Sequence, residues 1–288
     1  MTRKQKQLAP NEPIGYLFIA PWLIGFLVFT AFPIGYSFYL SFFTVQLTTT
    51  GIRTTFIRFD NYLQALTADM DFMNKVMGFS KEVFLAIIFI VVIALVLAIL
   101  LNQKVKGRGF FRTVFFLPVI ISSGPVIQKL QELGIIAIPN IDHFAVYRFA
   151  MAYPALGFTS LMVYLLNNMV LLLWLSGVQI LIFISALQKV DRTIYEAARM
   201  DGASMWEIFW KITLPALYPM IMVNVVYTTV MFSISSLNPI IDHILLNMFK
   251  MQTGFGYAAA LSWLYFLIIL VVLLVTVGVL QLFSRRSR

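Results

Sequence analysis

With no cysteine and only two histidines, His143 and His243, this 288-residue chain has few side chains able to do covalent or metal chemistry. Disulfides, thiolate metal sites and cysteine nucleophiles are excluded. Both histidines fall near links between apolar runs, and no Ser/His or His/acid pair is placed for catalysis. Neither a catalytic residue nor a metal site is expected. What remains is docking and hydrogen bonding. One concentration of polar groups is the segment Glu196-Ala197-Ala198-Arg199-Met200-Asp201-Gly202, followed by Ile212-Thr213-Leu214-Pro215. The other consists of isolated neutral groups inside apolar runs: Asn167, Asn168, Gln179, Asn224 and Tyr227.

The elements that hold these groups are set by composition. Sixty per cent of residues are hydrophobic and only 11% charged, and the mean hydropathy is +0.88. Soluble domains carry about 25% charged residues, so this chain belongs in a bilayer. Charge-free stretches run over 14–52, 83–103, 113–128, 149–188, 212–241 and 251–284. A spanning helix needs about 20 apolar residues; five stretches meet that length, and the third is short and interrupted by Pro118, Gly124 and Pro125. An all-α membrane protein of six transmembrane helices is expected, with spans at about 83–101, 160–187, 214–236 and 258–283. The first apolar run is longer than a signal-peptide core and is read as a retained helix, kinked by Pro21 and Pro33. The link 45–80 reads as an outer loop with a short amphipathic piece at 59–66.

Charge sets the topology. With six spans, the N-terminus 1–13, the link 104–112, the loop 189–211 and the C-terminus share one face. That face holds 14 of the 21 Lys and Arg but five of the 12 acids, and so the whole net charge of +9. The positive-inside rule makes it cytoplasmic. The pI of 9.8 therefore reports membrane topology rather than a nucleic-acid surface.

The loop 189–215 cannot lie in hydrocarbon, where its charges and turn would be unsatisfied. Thr193 to Glu196 has the pattern of a capping box opening a short helix over 195–201. Gly202 suits a chain reversal at the helix end. Ser204 to Glu207 is a second capping box, opening a helix that runs to Pro215. Two short helices joined by a glycine turn are expected.

That spacing, EAA, three residues, Gly, nine residues, Ile-x-Leu-Pro, resembles the coupling loop of bacterial ABC importer permeases. From Phe111 to Phe283 the chain resembles the carbohydrate (maltose-type) branch of that family. Supporting runs are Phe111 to Pro118, Gly177 to Ala203 and Ala260 to Trp263. The resemblance implies a single type I transmembrane domain over 14–288 in the bacterial cytoplasmic membrane. It implies partners too: a second permease, a pair of cytoplasmic ATP-binding cassette ATPase subunits and an external solute-binding protein. Glu196, Ala197, Ala198, Asp201, Gly202 and Pro215 would then carry the coupling to the ATPase. ATP would be bound by that partner, with no cofactor in this chain, which agrees with the absence of a G-x-x-x-x-G-K-[ST] motif. Sugar contacts along the path would fall to Asn167, Gln179, Asn224 and Tyr227, which could equally be interhelical glue worth about 1 kcal/mol each. The region 126–160 departs from the family pattern, which leaves peptides, polyamines or phosphate as alternative cargo. A channel or secondary transporter would need ionisable groups in the spans or an inverted repeat, and the sequence offers neither.

Overall fold

A computed structural model describes residues 13–48, 51–103, 109–110, 113–114, 126, 129–130, 132–134, 143–153, 159–235, 237–250 and 253–286. The third expected span, most of the 104–112 link and the central part of the 126–160 region lie outside the described residues.

The described chain is nearly all helix. Helix α1 (Pro13–Phe26) passes through a π-turn (Leu27–Ala31) into α2 (Phe32–Leu40). Strands β1 (Phe43–Thr48) and β2 (Gly51–Phe56) follow, then α3 (Asp60–Thr67) and the long α4 (Met70–Asn102). Next come α5 (Ala145–Ala152), α6 (Thr159–Leu175), α7 (Gly177–Lys189), α8 (Arg192–Met200) and α9 (Met205–Ile208). A second π-turn (Phe209–Thr213) leads into α10 (Leu214–Ser233), and α11 (Pro239–Met248) and α12 (Gly254–Arg286) complete the chain.

Among the described residues four helices are long and apolar enough to cross a membrane: Tyr16–Leu40, Met70–Asn102, Met205–Ser233 and Gly254–Leu282. A fifth crossing exists if α6 and α7 count as one, but they meet at 59° rather than forming the straight span expected over 160–187. The bend falls at the Ser176-Gly177 pair. There the Ser176 hydroxyl donates to the Leu173 carbonyl at 2.7 Å, taking the place of a ladder bond.

The chain divides into two compact units, residues 1–73 with 243–265, and residues 74–242 with 266–288. In the second, Ala86 and Ile90 of α4 and Leu172 of α6 form a buried core, flanked by Phe89, Leu165, Leu175 and Phe232. The apolar faces of α1 and α2 are turned outward: Phe18 is 82% and Trp22 68% exposed. Helices so exposed and so apolar face lipid or another subunit.

In the first unit the otherwise helical chain has a local exception. The link after α2 carries an antiparallel hairpin, with Phe43 opposite Phe56 and Val45 opposite Thr54. In β1 the apolar Phe43, Val45 and Leu47 alternate with Thr44, Gln46 and Thr48, the period of a pleated strand. Buried Asn61 fastens its base, donating to the carbonyls of Ser41 (2.8 Å) and Phe43 (3.1 Å). Helix α3 fulfils the short amphipathic piece expected at 59–66.

Candidate functional site: the 189–215 loop and the polar helix interior

Helix α8 begins two residues earlier than the capping-box pattern at Thr193 suggests. Its N-cap is Asp191, whose carboxylate accepts the Thr193 N–H at 3.0 Å. That bond holds the Asp191 carboxyl below the usual carboxylate range. A short aspartate two residues upstream reaches the free N–H without the entropy of a longer chain, so the expected Thr193–Glu196 box does not form. Glu196 therefore stands past the first turn, exposed, and makes no hydrogen bond or ion pair among the described residues.

At the other end α8 stops as its glycine requires. Gly202 sits at φ +80°, in left-handed space that costs other residues about 1–2 kcal/mol. The Ala203 N–H reaches back to the Ala198 carbonyl at 2.9 Å and the Gly202 N–H to Arg199 at 3.1 Å. Together these form a Schellman closure. The second capping box is present in full: Glu207 N–H donates to Ser204 Oγ at 3.2 Å, and Ser204 N–H to Glu207 Oε2 at 2.9 Å.

The second helix does not end at Pro215. It runs unbroken from Met205 to Ser233, because the π-turn at 209–213 spaces the ladder around a residue without an N–H. Tyr195 on α8 hydrogen-bonds Thr213 on that π-turn (3.2 Å), fixing the two helices at one point. The loop also exposes apolar side chains: Met200 is 89%, Met205 69% and Trp206 70% exposed. A cavity of about 920 Å³ opens beside α8, lined in part by Asn102, Gln188, Arg192, Tyr195, Glu196 and Arg199. A structured surface combining flexible methionines, an aromatic and an exposed carboxylate suits another protein. Glu196, Ala197, Asp201 and Gly202 are exposed, Ala198 and Pro215 half-buried.

The four polar residues named for a translocation path separate into two pairs. Asn167 is exposed and Tyr227 half-buried, whereas Gln179 and Asn224 lie inside the subunit. Gln179 Nε2 donates to Thr228 Oγ1 at 3.0 Å, linking α7 to α10. The Asn224 side chain finds no hydrogen-bond partner among the described residues. One polar group escaped sequence reasoning. His243, 8% exposed, stands with Nε2 at 2.9 Å from Asp69 Oδ2 and Nδ1 at 3.1 Å from Asp71 Oδ2. No local pattern signals a pair 174 residues apart.

These features define a multi-pass membrane protein that displays a structured helix–turn–helix loop where a span begins. The chain belongs to the family described as the binding-protein-dependent transport system inner membrane component, whose model matches residues 90–288. It is 29% identical to the probable ABC transporter permease protein YesP of Bacillus subtilis (strain 168), covering 97% of this chain and 92% of that one. It is 32% identical to the multiple sugar-binding transport system permease protein MsmF of Streptococcus mutans serotype c, covering 73% and 71%. With the arabinooligosaccharides transport system permease protein AraP of Halalkalibacterium halodurans the identity is 30%, over 80% and 71%. The fold is shared with a chain of a bacterial ABC transporter involved in the import of the acidic polysaccharide alginate. The TM-score is 0.63 at 19% identity, covering 95% of each chain. The first of these comparisons lies within the ABC permease family expected from the 196–215 spacing.

Proposed function

We propose that this chain is one permease of a pair in an ATP-driven importer that moves a sugar or oligosaccharide across the bacterial cytoplasmic membrane. In this reading the chain crosses the membrane six times with both termini inside, and the 189–215 loop faces the cytoplasm. There α8 docks into a cleft of an ATP-binding cassette ATPase, which supplies the only nucleotide site. An external binding protein delivers the solute. The observation that carries the reading is the loop itself: capped at Asp191 and Ser204, reversed at Gly202, and presenting an exposed Glu196 with exposed Met200 and Met205. Closure of the ATPase pair draws two such loops together and rocks the permeases between inward- and outward-facing states.

Sugar as cargo is supported by relatives named for arabinooligosaccharides and multiple sugars. Asn167 and Tyr227, the less buried of the four path residues, are assigned to solute contact; Gln179 holds α7 to α10. Co-purification tests the docking. Gly202→Asp should insert in the membrane normally yet lose the ATPase subunit, and full retention of that subunit would sink the assignment. Uptake assays test the cargo, since accumulation of only a peptide, polyamine or phosphate would overturn a sugar.

A further inference from the structure

The buried His243 cluster has no part in docking or cargo and lies within the first compact unit, so it stands apart from the reading above. Asp69 precedes α4, and its Oδ1 accepts the Phe72 N–H at 2.9 Å, as a helix cap does. Its other oxygen, Oδ2, takes two more groups: His243 Nε2 at 2.9 Å and the Tyr257 hydroxyl at 2.8 Å. The opposite ring nitrogen of His243 faces Asp71 Oδ2 at 3.1 Å. Phe72, fully buried, packs its ring 5.9 Å from the imidazole.

Chemistry then restricts the ring. A neutral imidazole has one N–H and one lone pair, so either tautomer would aim a lone pair at a carboxylate oxygen. Only the imidazolium satisfies both contacts. We infer that His243 is a positioning residue of a proton-dependent latch, its doubly protonated ring tying α11 and, through Tyr257, the first turn of α12 to the N-terminus of α4.

The charged and titratable groups around the ring are few. Asp69 and Asp71 face it directly, and Tyr257 reaches it through Asp69. Lys75 lies further along α4, Asp242 precedes the histidine and is exposed, and Lys250 is turned to Asn247 Oδ1 at 3.3 Å. Strand β1, which bridges to Gly254 through Val45, carries no charge. Asp71 is 64% exposed, so the ring exchanges its proton with water on that side. The tie is complete only while both ring nitrogens carry hydrogen, since losing either one turns a lone pair toward a carboxylate oxygen. On the acid side it persists well down, because Asp69 is held below the usual carboxylate range. Burial works against that, but the bonds from Phe72, His243 and Tyr257 outweigh it.

The chain offers a clean test, since it has only two histidines. The full-length His143→Gln protein in lipid nanodiscs, labelled with ¹⁵N-histidine, leaves a single imidazole to observe. The latch requires both ring nitrogens to carry hydrogen at pH 6, with one lost at alkaline pH; a neutral single-tautomer ring at pH 6 overturns it. In the same nanodiscs the wild-type thermal midpoint should fall by several degrees across that deprotonation, and His243→Gln should start lower and lack the fall. A variant sharing the wild-type pH profile would equally overturn the latch. If His243→Gln does not fold, the ring's protonation still decides.

Discussion

Asp191 and Asp69 use one local device in two settings. Each stands before a helix and offers a carboxylate oxygen to a free N–H of its first turn, at 3.0 Å and 2.9 Å. Asp191 is exposed and spends its charge on Thr193 alone. Asp69 is largely buried and adds His243 and Tyr257, from elements 174 and 188 residues away. The same residue type therefore ends as a replaceable cap in one place and the hub of a tertiary junction in the other. Burial decides the difference. In water a lost bond is replaced by solvent, whereas inside the protein a lost partner leaves a charge with nothing in exchange.

That contrast can be broken experimentally. Asp69→Asn should be the most damaging change, costing about 3 kcal/mol because it leaves a buried cation short of its countercharge; denaturant titration of the chain in mixed micelles measures it. If the loss were no larger than for an exposed cap, the buried junction would carry no special weight. Gly202→Ala comes next, at about 1 kcal/mol. A Cβ there would meet nothing within 4 Å, so the cost is conformational and hydrogen exchange should rise in α8 alone. Asp191→Ala should have the smallest effect, a faster exchange at Thr193 with no change in the midpoint of global melting. Acid should reproduce this order in the wild type. Both carboxyls titrate below their ordinary range, so the stability they add is present above that range and disappears as pH falls through the folded-state titration, with Asp69 dominating the loss.

Local chemistry explains which features could be read in advance. The Ser204–Glu207 box and the reversal at Gly202 need no information beyond a few neighbours, and both were legible. The box at Thr193 was misjudged because Asp191, two residues before, competes better for the same N–H. The hairpin at 43–56 was hidden by Thr-rich and Gly-containing sequence that reads as a loop, though the apolar alternation of Phe43, Val45 and Leu47 was there to find. Nor did the bend at Ser176 show itself, because a hydroxyl bonding its own helix does not interrupt an apolar run. The His243 junction was out of reach altogether: its members are single residues in separate stretches, brought together only by tertiary packing.

The unbroken helix from Met205 to Ser233 has a mechanical meaning. At about 1.5 Å per residue, its 29 residues span about 44 Å. One end stands in the exposed loop, and near the other Ser233 is buried. Tyr195 grips it near one end through Thr213, and Gln179 grips it farther along through Thr228. Between those two ties lies Pro219, a residue type at which helices bend, so the loop and α7 share one continuous helix with a single built-in point of flexure.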